Sequence, residues 1–348
     1  MAKDKSSGKR ITIRELARLA GTSPGTVSRA LNGNTRISES VSTKIRKLAS
    51  KHGYVPNQQA RNLQKGGSQF LGFLASDLLN FAFLNIFRQL EAMCRKRGFS
   101  LIIADSERST KLEREHVDYF LRLDVRGMFV SSVADWNSLA SCEHLDVFLK
   151  NGIPTVAVDH SVRPGVSSVF NDEENAAARL IAELQKLGHT HFLLVAYESP
   201  KNIVARMRIE GMRQAIASIP GGVVTDVIKS DRSSKWKNRV VRAVAAHHPT
   251  AIVTVDEFEA LSLYQPLTEA GISIPGDVSL AAFGSSNFWI KDLVPSLTAC
   301  HNDDSALVDS AMSLLFEKME RPATPDRHVS IPQQLFLRNS TAKARISG

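Results

Sequence analysis

The segment from Thr12 to Gly33 leaves its backbone few choices. Thr12 followed three residues later by Glu15 forms a capping box, and Ile13, Leu16, Ala17 and Ala20 then recur at i, i+3, i+4 and i+7. This is one apolar stripe on a short helix that Gly21 ends. Ser23 as N-cap and Pro24 at the first helical position open a second helix through Leu31, before Asn32-Gly33 breaks it. Two short helices joined by a tight glycine-containing turn predict a helix-turn-helix. A third helix is expected from about Glu39 to Lys51, capped by Ser38 and stopped by Gly53. Val41, Ile45 and Leu48 would face inward, and Lys44, Arg46, Lys47 and Lys51 largely outward.

Charge singles out the same end of the chain. The 348 residues carry a net +9, yet residues 1–69 hold 14 Lys or Arg against 3 Asp or Glu, and the remainder holds 30 against 32. A compact basic module on a near-neutral body is the electrostatic footprint of a nucleic-acid binder. The alternative, a solvated basic tail, does not account for the caps, turns and helical spacing. In a helix-turn-helix the second helix enters the major groove, and here it offers Thr26, Ser28 and Arg29. Arg29 alone can make a bidentate contact with guanine, its alternative role being a phosphate clamp. Pro24 and Gly25 bring no side-chain hydrogen bond, so direct readout by this helix is expected to be sparse. From Tyr54 the chain passes through Pro56 to a helix start at Asn57, about two turns of helix, and a Gly66-Gly67-Ser68 linker. With so few apolar residues this helix is expected to form only on DNA, where a paired copy would drive Leu63 into a minor-groove step; a plain linker is the alternative.

Composition narrows the remaining possibilities. No apolar run approaches the roughly 18 residues of a membrane span, and the charged N-terminus leads into no signal-peptide core. Cys94, Cys142 and Cys300 are odd in number and far apart, forming neither a disulfide framework nor a CxxC pair. A cytoplasmic protein without a cofactor is expected. After Phe70, strand-like runs (70–75, 100–104, 127–131, 155–158, 191–196, 251–255, 278–283) alternate with helix-periodic stretches such as 83–97, 113–123, 175–187, 204–217 and 259–270. Such alternation predicts parallel sheets covered by helices in two similar lobes, with a ligand beyond the carboxyl ends of the strands.

The run TIRELARLAGTSPGTVSRALNG from Thr12, followed by GYVPNQQARNLQKG from Gly53, resembles the headpiece and hinge helix of the lactose/galactose repressor (LacI/GalR) family. The body is similar to that family's core, a relative of periplasmic sugar-binding proteins, through pieces such as Asn151-Gly152-Ile153-Pro154 and Ile274-Pro275-Gly276-Asp277. The resemblance implies an all-α helix-turn-helix domain over 1–53, a hinge helix and linker over 54–69, and an α/β effector-binding and dimerisation core over 70–348. In that core the N-terminal lobe would take about 70–165 plus 300–328, and the C-terminal lobe about 166–295 plus 329–348.

The resemblance also implies a set of contacts. DNA would meet Thr12, Ser23, Pro24, Gly25, Thr26, Ser28, Arg29, Asn32, Tyr54 and Asn57, with Ala60, Arg61 and the intercalating Leu63 in the minor groove. An effector between the lobes would meet Asp77, Phe83, Ser131 and Asp159 on one side, and Arg208, Asp256 and Glu257 on the other. Charge-assisted bonds from such groups suit sugar hydroxyls. The chain departs from the family pattern at Asp256-Glu257, at Gly284-Ser285, at Asn80-Phe81-Ala82-Phe83 and at Arg232, with Phe288 and Trp289 as candidate stacking faces. These departures leave a sugar, a phosphorylated or acidic effector, or none.

Enzyme chemistry finds no support, because G-x-x-x-x-G-K-[ST], G-x-G-x-x-G after a strand, G-x-S-x-G and H-E-x-x-H are all missing. His189 and His191, and His247-His248, lack further ligands at metal spacing, and Glu173-Glu174 and Asp303-Asp304 read as solvated pairs. The sequence therefore predicts a transcriptional repressor. It would act as a homodimer on a pseudo-palindromic operator, its DNA affinity set by a small carbohydrate-like effector. A solute-binding protein would need an export signal and no basic headpiece, and an enzyme on the same core would need a catalytic constellation.

Overall fold

The structure is a computed structural model that describes residues 11–31, 36–54, 68–133, 143–160, 165–197, 202–231, 233, 235–284 and 289–345. The chain divides into two compact units, Met1–Ser68 and Gln69–Gly348.

The first unit contains α1 (Ile13–Ala20), α2 (Pro24–Leu31) and α3 (Glu39–Lys51). The capping box at Thr12 forms with both of its bonds, and Gly21 closes α1 in the left-handed conformation at φ 67°. A side chain at Gly21 would strain that turn. Leu16, Ala17 and Ala20 of α1, Val27 and Ala30 of α2, and Ile45 and Ala49 of α3 bury one small core. The inward face of α3 is therefore Ser42, Ile45 and Ala49, whereas the expected Val41 is exposed. Ser38 holds the N-cap position of α3, but its hydroxyl pairs with Ser40 Oγ at 3.3 Å instead of capping the backbone.

The second unit holds two six-stranded sheets. Its elements begin with β1 (Phe70–Ala75), α4 (Phe81–Lys96), β2 (Ser100–Asp105), α5 (Thr110–Arg122), β3 (Met128–Val130), α6 (Asp146–Lys150), β4 (Thr155–Asp159) and β5 (Ser167–Asn171). Next come α7 (Glu173–Lys186), β6 (His191–Tyr197), α8 (Ile203–Ala217), β7 (Val223–Ser230), α9 (Lys235–His247), β8 (Ala251–Thr254), α10 (Glu257–Glu269), β9 (Ser279–Gly284) and β10 (Thr298–His301). The chain ends with α11 (Asp304–Glu320), β11 (His328–Ile331) and β12 (Gln334–Phe336). The first sheet runs β11-β5-β4-β3-β1-β2 and the second β12-β10-β9-β8-β6-β7. Among the described residues every pairing is parallel except β10 with β12. Helices cover both faces of each sheet, so the central strands β1, β3, β4, β6, β8 and β9 are mostly apolar and buried, as parallel sheets require, while edge strands such as β7 and β11 are more polar and exposed.

Strand pairing moves the lobe boundaries from those expected. Ser167–Asn171 and His328–Ile331 pair with each other in the first sheet, so the N-terminal lobe keeps residues that the sequence reading assigned to its neighbour. Conversely, Thr298–His301 lies in the second sheet beside β9. The chain thus crosses between lobes near Asp172, between His301 and Asp304, and between Ile331 and Gln334. The first two crossings enter a helix through an aspartate cap: Asp172 accepts from Asn175 N at 3.4 Å, and Asp303 from Ala306 N at 3.0 Å. The polar character of β5 concealed it: Ser167 and Ser168 are buried, and the Ser168 hydroxyl bonds His328 Nδ1 at 2.7 Å.

Candidate functional site

In the first unit the loop before α2 organises the polar face. Ser23 Oγ accepts from Thr26 N at 3.1 Å and lies 2.9 Å from Thr26 Oγ1, so these two hydroxyls preorganise the N-terminal turn of α2. Pro24 and Gly25 are exposed beside them, and nothing crowds a bulkier side chain at Gly25 except Ser23 Oγ at 3.8 Å. Arg29 is exposed, with its Nε donating to Gly25 O at 3.2 Å, which leaves the far edge of the guanidinium outward. Lys44 is tied across to the end of α1 through Ala20 O at 3.2 Å, where the helix dipole favours a cation. Thr12 is occupied by its cap, its hydroxyl donating to Glu15 Oε2 at 2.9 Å. Tyr54 is half-buried against the small core, and burial raises its phenol pKa. Asn32, Asn57, Ala60, Arg61 and Leu63 lie outside the described residues.

In the second unit a cavity of about 550 Å³ opens between the lobes at the carboxyl ends of both sheets. Asp77, Phe83 and Asp159 line it from one lobe, and Arg208, Asp256 and Glu257 from the other, as expected. Two expected residues do not. Just past the end of β3, Ser131 is fully buried, its hydroxyl 3.3 Å from Ser76 Oγ and its N–H donating to Leu74 O, and its neighbour Ser132 lines the cavity instead. Trp289 is half exposed, but it does not line the cavity. Phe288 lies outside the described residues. Phe83 packs mainly into the core against Phe73, 6.4 Å between rings, and Phe81 presents the more accessible ring.

The two arginines that line the cavity among the described residues are both held by carboxylates. Arg208 donates from Nε and Nη2 to the two oxygens of Glu173 at 2.6 and 2.9 Å, and from Nη1 to Val255 O at 2.6 Å. It also stacks over the Phe283 ring at 4.7 Å. Burial opposes its charge, but Glu173, with help from Asp159 and Asp256, leaves its pKa raised. Glu173 is buried at a lobe crossing and accepts a further bond from Gln333 Nε2 at 2.6 Å, so it is not the solvated residue the sequence suggested. Arg108 was not anticipated. A turn with positive φ at Glu107 and Arg108 lifts its side chain into the cleft, where Nε donates to Asp77 Oδ2 at 2.6 Å. Its guanidinium lies 4.1 Å from the Tyr197 ring centroid, a cation–π contact reaching from one lobe to the other.

Carboxyl groups gather where β7 and β8 end. Asp256 caps α10 by accepting from Phe258 N at 2.8 Å and Glu259 N at 3.3 Å. Glu259 is buried beneath it, taking the Ser230 hydroxyl on Oε1 at 2.6 Å and sharing a carboxyl–carboxylate hydrogen bond with Asp256. Burial first, and the Asp256 carboxylate second, push the Glu259 pKa well above the usual carboxylate range. Gly284 makes room for Glu257: a Cβ there would stand 2.7 Å from Glu257 Oε2. Asp159 sits at φ 88°, a strained conformation for a residue with a side chain, with its carboxylate 3.8 Å from His160 Nδ1. Under the floor of the cleft, Glu113 is fully buried and accepts from Ser132 Oγ at 2.5 Å, His144 Nε2 at 2.7 Å and Val133 N at 3.0 Å. Arg108, Tyr197, Glu113, Glu173 and Glu259 carried no short motif, and only the positions of strand ends could have pointed to them.

Among the described residues no group of three or more His, Cys, Asp or Glu is placed to hold a metal ion, and no helix is long and apolar enough to cross a membrane. Comparison with known proteins agrees with both units. Residues 12–57 match the family model of bacterial regulatory proteins of the lacI family, and residues 181–341 match a periplasmic binding protein-like domain. The chain is 27% identical over 334 residues to the HTH-type transcriptional regulator PtxS of Pseudomonas putida, covering 95% of this chain and 96% of that one. It is 24% identical over 336 residues to the ribose operon repressor of Escherichia coli, covering 94% and 99%. The fold is similar to that of the lac repressor dimer bound to operator and the anti-inducer ONPF, with a TM-score of 0.80, 22% identity, and coverage of 96% and 100%. The chain thus joins a headpiece of the lacI family of bacterial regulatory proteins, over residues 12–57, to a periplasmic binding protein-like domain that is matched over residues 181–341.

Proposed function

We propose that this DNA-binding regulator is a cytoplasmic homodimeric repressor that grips a pseudo-palindromic operator with two headpieces and responds to a small hydroxylated effector in the interlobe cleft. The observation that carries this reading is one chain holding both a basic helix pair with an exposed, preorganised α2 N-terminus and a polar cleft of about 550 Å³. One short recognition helix yields few base contacts, so two copies on symmetric half-sites are needed for a useful specificity ratio. Relatives named for a ribose operon and a lac operator complex support both the sugar-like ligand and the dimer on DNA.

On this reading Thr26, Ser28 and Arg29 face the major groove, and Leu63 supplies a minor-groove wedge. Closure of the lobes on a ligand changes how the headpieces are presented, and a coupling of about 1 to 3 kcal/mol suffices for regulation. The test is a selection from random duplexes with the full chain, followed by anisotropy titrations with and without candidate sugars. Enrichment of an inverted repeat whose affinity shifts about fivefold or more with one sugar is the expected result; no enrichment at low salt overturns the reading. Leu63→Ala is expected to weaken operator binding more than binding to random DNA, and equal losses would remove it as a wedge.

A further inference from the structure

Helix α2 turns one face to the headpiece core and the other to solvent. Val27 and Ala30 are buried against α1 and α3, while Pro24, Gly25 and Arg29 are exposed. Gly25 and Arg29 stand one helical turn apart, and Pro24 lies beside Gly25 in the first turn, so the three share the outward face. Among the described residues Pro24 is the only apolar side chain exposed on α2. It has no N–H, and its ring neither donates nor accepts a hydrogen bond. The hydroxyls that flank it are turned on each other, Ser23 Oγ lying 2.9 Å from Thr26 Oγ1 and accepting from Thr26 N at 3.1 Å.

Gly25 points outside the chain. Glycine costs a helix stability relative to alanine, and the headpiece does not ask for it. Among the described residues a Cβ at Gly25 would meet only Ser23 Oγ, at 3.8 Å, and no left-handed backbone requires the glycine. A glycine that the fold does not need has its use where another molecule comes close to the backbone. Arg29 lies back along this bare stretch, its Nε donating to Gly25 O at 3.2 Å.

We propose that Pro24 reads a thymine of the operator through its 5-methyl group, and that Gly25 is bare so that α2 can approach the base edges closely enough for this contact. This rests on the reading of α2 as the helix that enters the major groove.

The physical argument is one of packing and penalty. In the major groove adenine and guanine present N7 and cytosine its amino group, whereas thymine alone carries a methyl group. A pyrrolidine ring laid on N7 or on an amino group strips water from it and returns no hydrogen bond. Laid on the methyl group, the same ring removes apolar surface of both partners from water. The contact depends on close approach, because a gap of about 1 Å forfeits up to half of the dispersion attraction. A long side chain at position 25 would hold the helix off by more than that.

The test starts from the inverted repeat that the full chain enriches from random duplexes. Each thymine is replaced in turn, in both half-sites, by deoxyuridine, which lacks only the methyl group, and affinity is read by anisotropy at fixed salt. One symmetry-related pair of thymines is expected to lose about threefold or more on replacement, and in Pro24→Ser the same replacement is expected to cost nothing measurable. Each protein is compared with itself on two duplexes, so a variant that binds weakly overall does not imitate this result. Gly25→Leu is expected to lower operator affinity at least about tenfold and affinity for random duplex by less, while hydrogen exchange of the α2 amides stays as slow as in the parent. No methyl-dependent thymine, a methyl effect that persists in Pro24→Ser, or a Gly25→Leu chain that keeps the parent's operator affinity overturns the proposal and leaves the DNA-binding reading standing. The deoxyuridine scan uses the parent chain alone, so it decides the question even where a substituted headpiece does not fold. Failure to enrich any inverted repeat overturns the proposal together with the reading on which it rests.

Discussion

Arg208 shows how one side chain serves architecture and site together. Its bidentate bond to Glu173 and its bond to Val255 O join α8 to the start of α7 and the end of β8. Removing one member of a buried ion pair leaves the other charged and unmatched, so Arg208→Ala is expected to cost the core roughly 3 to 5 kcal/mol in urea unfolding. The double variant Arg208→Ala with Glu173→Ala should cost less than the two single losses added together, and strict additivity would show that the pair is not coupled. Cys94 and Cys300 give a simpler case. Burial pushes both thiols up to about 12, so neither presents a thiolate near neutral pH. Iodoacetamide at pH 8 followed by peptide mapping is expected to leave both unlabelled in the native chain and to label both in urea.

At the scale of elements, helix ends do most of the positioning. The Thr12 cap sets where α1 starts, and Thr12→Ala is expected to cost about 1 kcal/mol, read as roughly fivefold faster hydrogen exchange of the α1 amides in the full chain. Helix α11 begins at a lobe crossing with Asp304 largely buried in its first turn. Burial raises the Asp304 pKa to about 7, with Asp303 adding to the shift and Asn85 opposing it. A carboxyl group with a raised native pKa binds protons more tightly in the folded chain. Its contribution to stability is therefore complete below the ordinary carboxylate range, declines as pH rises toward 7, and is gone above it. Asp304→Asn, which cannot ionise, should gain melting temperature relative to the parent as pH rises from 4 to 8. A constant difference between the two would show that Asp304 does not titrate in that window.

At the scale of the whole molecule, the division of charge separates two tasks. Residues 1–69 carry the excess of Lys and Arg, so DNA affinity is expected to fall steeply with salt, on the order of a thousandfold between 50 and 200 mM if about six phosphates are neutralised. Binding of a small ligand to the near-neutral core should depend far less on salt, because its charges are close-set and partly buried. A shallow DNA salt slope would mean that the basic module is not the part that meets phosphate.

What the sequence determined by itself was local. Caps, glycines and apolar periodicity specify α1, α2 and the long α/β strands, because each signal acts within one helical turn or one strand. Asp77, Asp159, Arg208, Asp256 and Glu257 were legible too, through the family resemblance of the segments that hold them, and all five line the cleft. The tertiary structure alone decided that Ser132 and not Ser131 reaches the cleft, that Arg108 stacks on Tyr197 from the opposite lobe, and that Glu173 is buried against Arg208. It also decided that β5 and β11 form one edge of the first sheet although most of the sequence between them builds the other lobe. These are relations between residues far apart along the chain, created when three crossings bring two sheets edge to cleft. Periodicity cannot carry them, because it records which face a residue takes and not what that face will meet.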